Sequence, residues 1–329
     1  MTPLNTKRPK VFLISLLALI CAATLLLPSC QQAPGPAQTQ PPQGTGAQLT
    51  VISTVFASYD FAKQIAGPHA QVKMLIPPGT EIHSFEPSPQ DILDIQHCDL
   101  FIYVGGDSDA WVTNLLSSID LSSTTVLKLM DCVTLTQEDP TVLADHTPDD
   151  NDKPESDEHV WTSLANAKSI TQEISGALIA LDAANTADYE ANTAAYLAQL
   201  DELDAQYLQV VQTAKRHVLV FADRYPFQYL AKEYGLTCYA AFPGCSTATE
   251  PSAQTVIKLV DLVREQQIPA VFYLELSNHK LADVIAQETN TQALLLHSCH
   301  NISLQDYQDG ASYVSIMGQN LKNLKVALN

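Results

Sequence analysis

Short apolar segments alternate with amphipathic segments along most of the chain from residue 49 to its end. The apolar segments are rich in β-branched residues, as strands buried on both faces of a sheet are. The segments between them have the spacing of helices. This alternation is typical of mostly parallel sheets flanked by helices. We predict strands at 49–55, 71–77, 99–105, 124–130, 217–222, 236–241, 268–276 and 291–296, and helices at 59–66, 89–97, 108–118, 163–181, 226–234, 252–267, 278–289 and 311–327.

A longer helix is predicted near the middle of the chain, because residues 186–214 contain no Pro or Gly. At 1.5 Å per residue this helix is roughly 40 Å long, enough to join two lobes as a rigid strut. The predicted fold class is therefore α/β, with an N-terminal lobe at 49–184, a linking helix at 185–214 and a C-terminal lobe at 215–329. The helix carries one apolar stripe, formed by Tyr189, Tyr196, Leu200, Leu203, Tyr207 and Val210.

The N-terminus has the pattern of a secretory signal. Basic residues precede an uncharged apolar run at 11–27, and Cys30 follows directly after Leu-Pro-Ser. This arrangement resembles a bacterial lipobox, so we predict a signal peptide at 1–29 and lipidation of Cys30. The alternative is a single membrane-spanning helix, for which the run is short. Residues 30–48 are rich in Pro, Gln and Gly and predict a flexible tether. Either reading places the folded region outside the cytoplasm, at the cell surface.

Charge excludes one class of partner. The formal net charge is −19, and removal of the basic signal would make the remaining chain still more acidic. Nucleic acids are bound through Lys and Arg, so we expect no nucleic-acid partner. Residues 136–158 contain nine acidic residues and one lysine, which predicts a solvated acidic loop. The alternative is that His146 and these carboxylates capture metal loosely.

Histidines near predicted strand ends are the candidate chemistry of the chain. His83 and His159 lie in the first half, and His297 and His300 lie in the second. Loops at the carboxyl ends of parallel strands form ligand sites, and neutral imidazole is the commonest ligand of transition metals. Zinc takes about four N, S or O ligands. The pattern therefore predicts a metal ion held between the two lobes.

The segment His-Ser-Cys-His leaves the ligand set open. In an extended chain His297 and His300 face opposite sides, whereas a tight turn would bring both to one ion. If the chain runs straight, one of them supports the site without binding the metal. Cys299 lies between them and is either a thiolate ligand, a partner of Cys245 in a disulfide, or a buried thiol.

Several long phrases resemble one family, the metal-binding lipoproteins of bacterial ABC importers for zinc and manganese. The similarity covers nearly all of the chain from residue 49. The phrases are IPPGTEIHSFEPSPQDI, DLFIYVGGDSDAW, DEHVWTSLANAK, DYEANTAAYLAQLDELDAQY, FQYLAKEYGL, TEPSAQTVIKLV and VFYLELSN.

The resemblance implies two α/β lobes with the metal at their interface, and His83 and His159 as the N-terminal ligands. The third ligand position falls on Arg224, which cannot ligate because it stays protonated. If His297 and His300 both bind the ion, they offset this loss. Asp223 is the substitute if only one of them reaches the ion, and Arg224 could instead pair with Glu275. The fourth position falls on His297 or His300.

The resemblance also implies a function without catalysis: an extracytoplasmic lipoprotein, monomeric, that delivers zinc to an ABC permease. Imidazole ligands favour Zn²⁺, and a carboxylate would move the preference toward Mn²⁺. A rigid linking helix predicts only small rearrangements on binding. The alternatives are a secreted zinc hydrolase, for which the HExxH and GxSxG motifs are absent from the sequence, and a surface adhesin.

Overall fold

The computed structural model describes residues 48–82, 85–139, 156–244 and 251–329. Two four-stranded sheets lie within these ranges, and every strand pair in them is parallel. The predicted α/β class with two parallel sheets flanked by helices is confirmed.

The two sheets have the same strand order. The first contains β1 to β4 in the order β2-β1-β3-β4, and the second contains β5 to β8 in the order β6-β5-β7-β8. The strands are Leu49–Ser53, Ala70–Met74, Leu100–Tyr103, Thr125–Lys128, Val218–Tyr225, Thr237–Pro243, Ala270–Tyr273 and Gln292–Leu295.

Helices connect the strands on both faces, as parallel pairing requires. Numbered α1 to α10 in chain order, they are Phe56–Ala66, Pro89–His97, Ala110–Leu116, Leu164–Leu181, Thr186–Gln212, Gln228–Tyr234, Ala253–Glu265, Lys280–Thr289, Leu304–Gln308 and Tyr313–Leu328. Among the described helices, none combines the length and the apolar character that a membrane crossing needs.

Most predicted strands end earlier in the structure than their apolar runs do. The run at 268–276 forms a strand only over Ala270–Tyr273. The chain turns after this strand, and Leu276 adopts a left-handed backbone with φ 60°. The short helix α9 was not predicted, because a helix of this length leaves almost no periodic pattern.

Helix α5 is the predicted long helix, and it runs from Thr186 to Gln212. Its buried stripe includes the predicted Tyr and Leu residues. Val210, the last predicted member, is partly buried and packs against the core, and the neighbouring Val211 is buried more fully. Val211 lies four residues after Tyr207, which keeps it on the face that packs against α1, α4 and α10.

One apolar core extends through both sheets. A continuous cluster of buried residues joins Val51 in β1 to Phe221 in β5, and it includes Tyr207 of α5 and Leu328 near the C-terminus. Each sheet also has a smaller core on its other face. The lobes are therefore packed on the same helices, and α10 reaches back from the second sheet to α1.

The two ends of the acidic segment are joined. Gln137 pairs with Ser156 in an isolated antiparallel bridge. This bridge holds the chain that leads into His159. Some of the predictions fall outside the described residues: those for His83, His146, Cys245, the signal at 1–29 and the lipidated Cys30.

Candidate metal centre

The loop after β8, residues 296–302, is attached to the first lobe through the start of α1. No side chain caps this helix at Val55, so its first N–H groups need other acceptors. The N–H of Phe56 donates to the carbonyl of His300 at 2.9 Å. The N–H of Ala57 donates to the carbonyl of Cys299 at 3.1 Å. The start of α1 in the first lobe thereby fixes the backbone of His300, which belongs to the second lobe.

Trp161 is a second attachment of this loop. Its indole Nε1 donates to the carbonyl of Ser298 at 2.7 Å, and its own carbonyl accepts the hydroxyl of Tyr313 at 2.6 Å. The indole also lies 4.9 Å from the imidazole of His300, measured between ring centroids. The ring of His300 is therefore supported by a fully buried aromatic residue of the first lobe.

His159 and His300 meet where the two lobes are joined. Their ring centroids are 5.2 Å apart with an interplanar angle of 88°. A carboxylate oxygen of Glu158 completes a group in which all three ligand atoms lie within 4.8 Å of one another. All three side chains are buried. The structure thus brings together one predicted histidine from each half of the chain, as a metal clamped between lobes requires.

Asp157 fixes the orientation of His159. One oxygen, Oδ1, lies 2.8 Å from the imidazole Nδ1 and accepts the backbone N–H of His159 at 2.8 Å. Burial is the largest single influence and lowers the pKa of His159, but the nearby carboxylates, chiefly that of Asp157, together raise the pKa above its ordinary value. With Nδ1 held by Asp157, Nε2 is the atom left to bind an ion, which is the usual role of a carboxylate behind a metal-binding histidine.

Glu158 was not predicted as a ligand from the sequence, because only the adjacent His159 matched the pattern of a metal-binding residue. The available signal was weak: two acidic residues directly before a histidine and an apolar pair, in DEHVW. Such acids are usually solvated. Here Glu158 is only 2% exposed, and its Oε2 accepts the backbone N–H of Ser108 at 2.9 Å.

His297 lies beside this group rather than in it. Its backbone is held by the side chain of Asn320, through the N–H at 2.8 Å and the carbonyl at 2.8 Å. Its Nδ1 accepts the N–H of Cys299 at 2.9 Å and lies 3.6 Å from a Glu275 oxygen. Within the described ranges His297 is not one of the grouped ligand atoms. Its role as a ligand stays a prediction, and the geometry favours His300.

Asp223 and Arg224 lie where β5 departs from regular pairing with β6. Both Asp223 oxygens accept backbone N–H groups, one from Arg224 at 2.8 Å and one from Leu274 at 3.1 Å. The carboxylate is thereby used to hold β5 against the end of β7. Arg224 lines the cavity and forms an ion pair with Glu81 at 3.4 Å.

Glu275 and Cys299 support the loop instead of reaching the group. Glu275 accepts the N–H of Ser298 at 2.7 Å and also the Ser298 hydroxyl. Cys299 is a free thiol in the apolar core, and burial raises its pKa well above the ordinary value. A thiol that resists ionisation in this way is a poor metal ligand.

His159 and His300 line a small cavity of about 40 Å³, whose wall also includes Arg224, Glu275 and Asn301. A cavity of this size accepts an ion with a bound water, because one water needs roughly 10–15 Å³ by the same measure. Two imidazoles and a carboxylate are donors that suit Zn²⁺. The arrangement can bind a divalent ion between the lobes.

One family model matches residues 51–327, and its description is zinc-uptake complex component A, periplasmic. The chain is 31% identical over 311 residues to the zinc-binding lipoprotein AdcA of Streptococcus pneumoniae, a match covering 94% of this chain and 60% of that protein. It is 30% identical over 317 residues to the high-affinity zinc uptake system protein ZnuA of Bacillus subtilis, covering 95% and 97%. The chain thus spans about three fifths of the length of the pneumococcal relative.

A solved structure of the pneumococcal relative is also similar to this chain. The Zn(II)-bound ZnuA-like domain of Streptococcus pneumoniae AdcA superposes with a TM-score of 0.71 at 30% identity, covering 86% of this chain and 99% of that domain. The match extends to the arrangement of both lobes, because nearly the whole domain is covered.

Proposed function

Because the chain belongs to the family of periplasmic zinc-uptake components A, we propose that it binds Zn²⁺ outside the cytoplasm and delivers it to an ABC import permease. The observation that carries this proposal is the meeting of His159 and His300, one from each lobe, with the buried carboxylate of Glu158. The relatives named above are zinc-binding or zinc-uptake proteins, so they favour transport over a secreted hydrolase or an adhesin.

The donors support zinc as the cargo. His159 and His300 supply imidazole, and His83 is proposed as a third imidazole ligand because the sequence resemblance places it there. Imidazole-rich sites suit Zn²⁺, whereas Mn²⁺ prefers carboxylate and water ligands. Mn²⁺ is the less favoured alternative.

The remaining parts of the proposal come from the sequence. Cys30 is proposed to carry a lipid that anchors the protein at the membrane, with residues 30–48 as the tether. The lobes are proposed to be 49–184 and 215–329, joined by 185–214. The protein is proposed to act as a monomer and to release its ion to the permease without catalysing a reaction.

Zinc binding by purified variants tests the proposal. The metal-free protein is titrated with Zn²⁺ against a chromophoric chelator, and we expect one ion per chain. His159→Ala and His300→Ala should each weaken binding by more than 100-fold, because each removes one of about four ligands. His97→Ala is the matched control, since this histidine is exposed. Wild-type affinity in both site variants would refute the proposal.

Uptake by cells separates transport from simple binding. Cells that depend on this protein for growth in low zinc should lose uptake of radioactive zinc when they carry His300→Ala, and keep it with His97→Ala. Normal uptake with His300→Ala would show that the binding site does not serve import.

A further inference from the structure

We propose that Glu158 is a direct ligand of the ion, so that the site combines imidazoles with one carboxylate. This inference rests on the proposed function and specifies its chemistry. Zinc takes about four ligands, and the cavity wall presents Arg224, which cannot supply one. Glu158 supplies the missing negative donor from the residue directly before His159.

The distances permit direct coordination. In a tetrahedral zinc site with bonds of about 2.0–2.1 Å, neighbouring ligand atoms are about 3.3 Å apart. The carboxylate oxygen of Glu158 and the ring nitrogens of His159 and His300 lie within 4.8 Å of one another. Closing the group around an ion therefore needs movements of about 1.5 Å or less, which rotation of a glutamate side chain can supply.

One oxygen of Glu158 is available for this bond. The Oε2 atom accepts the N–H of Ser108 at 2.9 Å. The Oε1 atom is buried and accepts no hydrogen bond within the described ranges. A buried carboxylate oxygen without a hydrogen-bond partner is energetically unfavourable. A cation placed between Glu158, His159 and His300 would supply the missing interaction.

The backbone beside Glu158 is shaped to admit its side chain. A Cβ atom at Gly106 would lie 2.2 Å from Oε2 and 2.3 Å from the Cβ of Glu158. Any other residue at position 106 would therefore displace the glutamate. Gly106 and the N–H of Ser108 together hold the carboxylate at the site, and both come from the segment after β3.

Charge supports the same assignment. A divalent ion bound by imidazoles alone would retain its full charge in a buried site, next to a cavity that the cationic Arg224 also lines. Uncompensated buried charge is strongly unfavourable. The carboxylate of Glu158 lowers the net charge of the ion and its ligands by one. The charge of Arg224 is balanced separately by Glu81, which lies 3.4 Å away.

Glu158→Gln tests the assignment, because the amide keeps the size and can still accept from Ser108. We expect zinc affinity to fall by more than about 100-fold, beyond the 10–100-fold typical of a residue that only orients a ligand. The affinity for Mn²⁺ should fall further than that for Zn²⁺, because Mn²⁺ depends more on carboxylate oxygen. Glu190→Gln is the control, since it removes one exposed charge from α5. Thermal melts of the metal-free variants check that each is folded.

X-ray absorption of the zinc-loaded proteins provides a second readout. Glu158→Gln should change the first coordination shell, and Glu158→Asp, with its shorter reach, should bind more weakly than wild type. A folded Glu158→Gln protein with an unchanged zinc shell and a loss of less than 100-fold would overturn the inference. If His159→Ala and His300→Ala also bound zinc normally, the proposed function itself would fail, so the two failures are distinguishable.

Discussion

At the scale of single residues, Asp157 decides which nitrogen of His159 faces the cavity. Both its contacts to His159 are 2.8 Å long and use the same oxygen. Tyr229 holds the peptide carbonyl of Asp157 at 2.8 Å. The histidine is thus fixed by a residue that is itself fixed, which leaves little freedom for the ring to turn away from an ion.

Asp157→Asn should weaken zinc binding by about 10–100-fold, because the ring loses the charge that stabilises its Nδ1–H tautomer. The chelator competition described above measures this change. The control is Asp131→Asn, which removes an exposed carboxylate 3.7 Å from Lys128. Equal affinities in the two variants would show that Asp157 does not act through His159.

Asp109 makes stability depend on pH. Burial raises its pKa to about 6 from an ordinary value of 3.8, and the charge of Glu158 adds to this. The folded protein therefore holds this proton between about pH 4 and 6, where the unfolded chain has lost it. The contribution of the protonated Asp109 to the free energy of unfolding is therefore fully present below about pH 4 and is lost as the pH rises through 6.

Asp109→Asn removes this dependence because the amide does not titrate. With a chelator present, the free energy of unfolding of the variant relative to wild type should increase by about 3 kcal/mol from pH 4 to pH 7. Denaturant unfolding at several pH values measures the difference. A difference that stays constant across this range would show that Asp109 titrates normally in the folded protein.

At the scale of elements, Asp60 joins three helices. It lies on α1, and its Oδ2 accepts the N–H of Tyr313 at the start of α10 and the hydroxyl of Tyr196 on α5. Its Oδ1 accepts the side-chain amide of Gln64 at 3.1 Å. Helices of both lobes thus share one buried carboxylate on the side of the protein where α5 links them.

Asp60→Ala should destabilise the protein by about 2–4 kcal/mol, because it leaves the buried donors of Tyr196 and Tyr313 without an acceptor. Asp201→Ala is the matched control: this exposed aspartate pairs with Lys168 at 2.8 Å and should cost less than about 1 kcal/mol. Denaturant unfolding of both variants measures this. Equal losses of stability in the two variants would mean that the buried contacts of Asp60 stabilise the protein no more than an exposed ion pair does.

Elements were also where sequence patterns were most informative. The stripe on α5 gave the buried face of this helix through Tyr207, because a 3.6-residue period is a local property of the chain. It missed Val211, because the choice between neighbouring valines depends on which way α10 and α4 approach the end of the helix.

At the scale of the whole molecule, the lobes are connected by more than α5. The 296–302 loop of the second lobe is hydrogen-bonded to α1 and to Trp161 of the first, and one apolar core includes residues of both sheets. Separation of the lobes at the site would break these contacts together. Metal binding is therefore expected to leave their arrangement nearly unchanged.

Small-angle scattering tests this expectation. The radius of gyration should change by less than about 1 Å when zinc is added to the metal-free protein, as in other pre-organised binding sites. A sample chelated again after zinc binding controls for aggregation. Compaction by several ångströms would show that the lobes close on the ion like a hinge.

The sequence by itself determined the alternation of strands and helices and the long helix, because these depend on periodicity and composition over short windows. It also indicated which histidines lie in loops near strand ends. It left His297 and His300 as alternatives, since the direction of each ring depends on how the loop lies against α1.

Only the tertiary structure decided which side chains meet. Glu158 and His300 are far apart in the chain, and their approach depends on Gly106, on Trp161 and on the packing of two lobes around α5. Such contacts leave no local pattern, because each residue satisfies its own segment equally well in many arrangements. The carboxylate beside the paired imidazoles is therefore a property of the folded molecule.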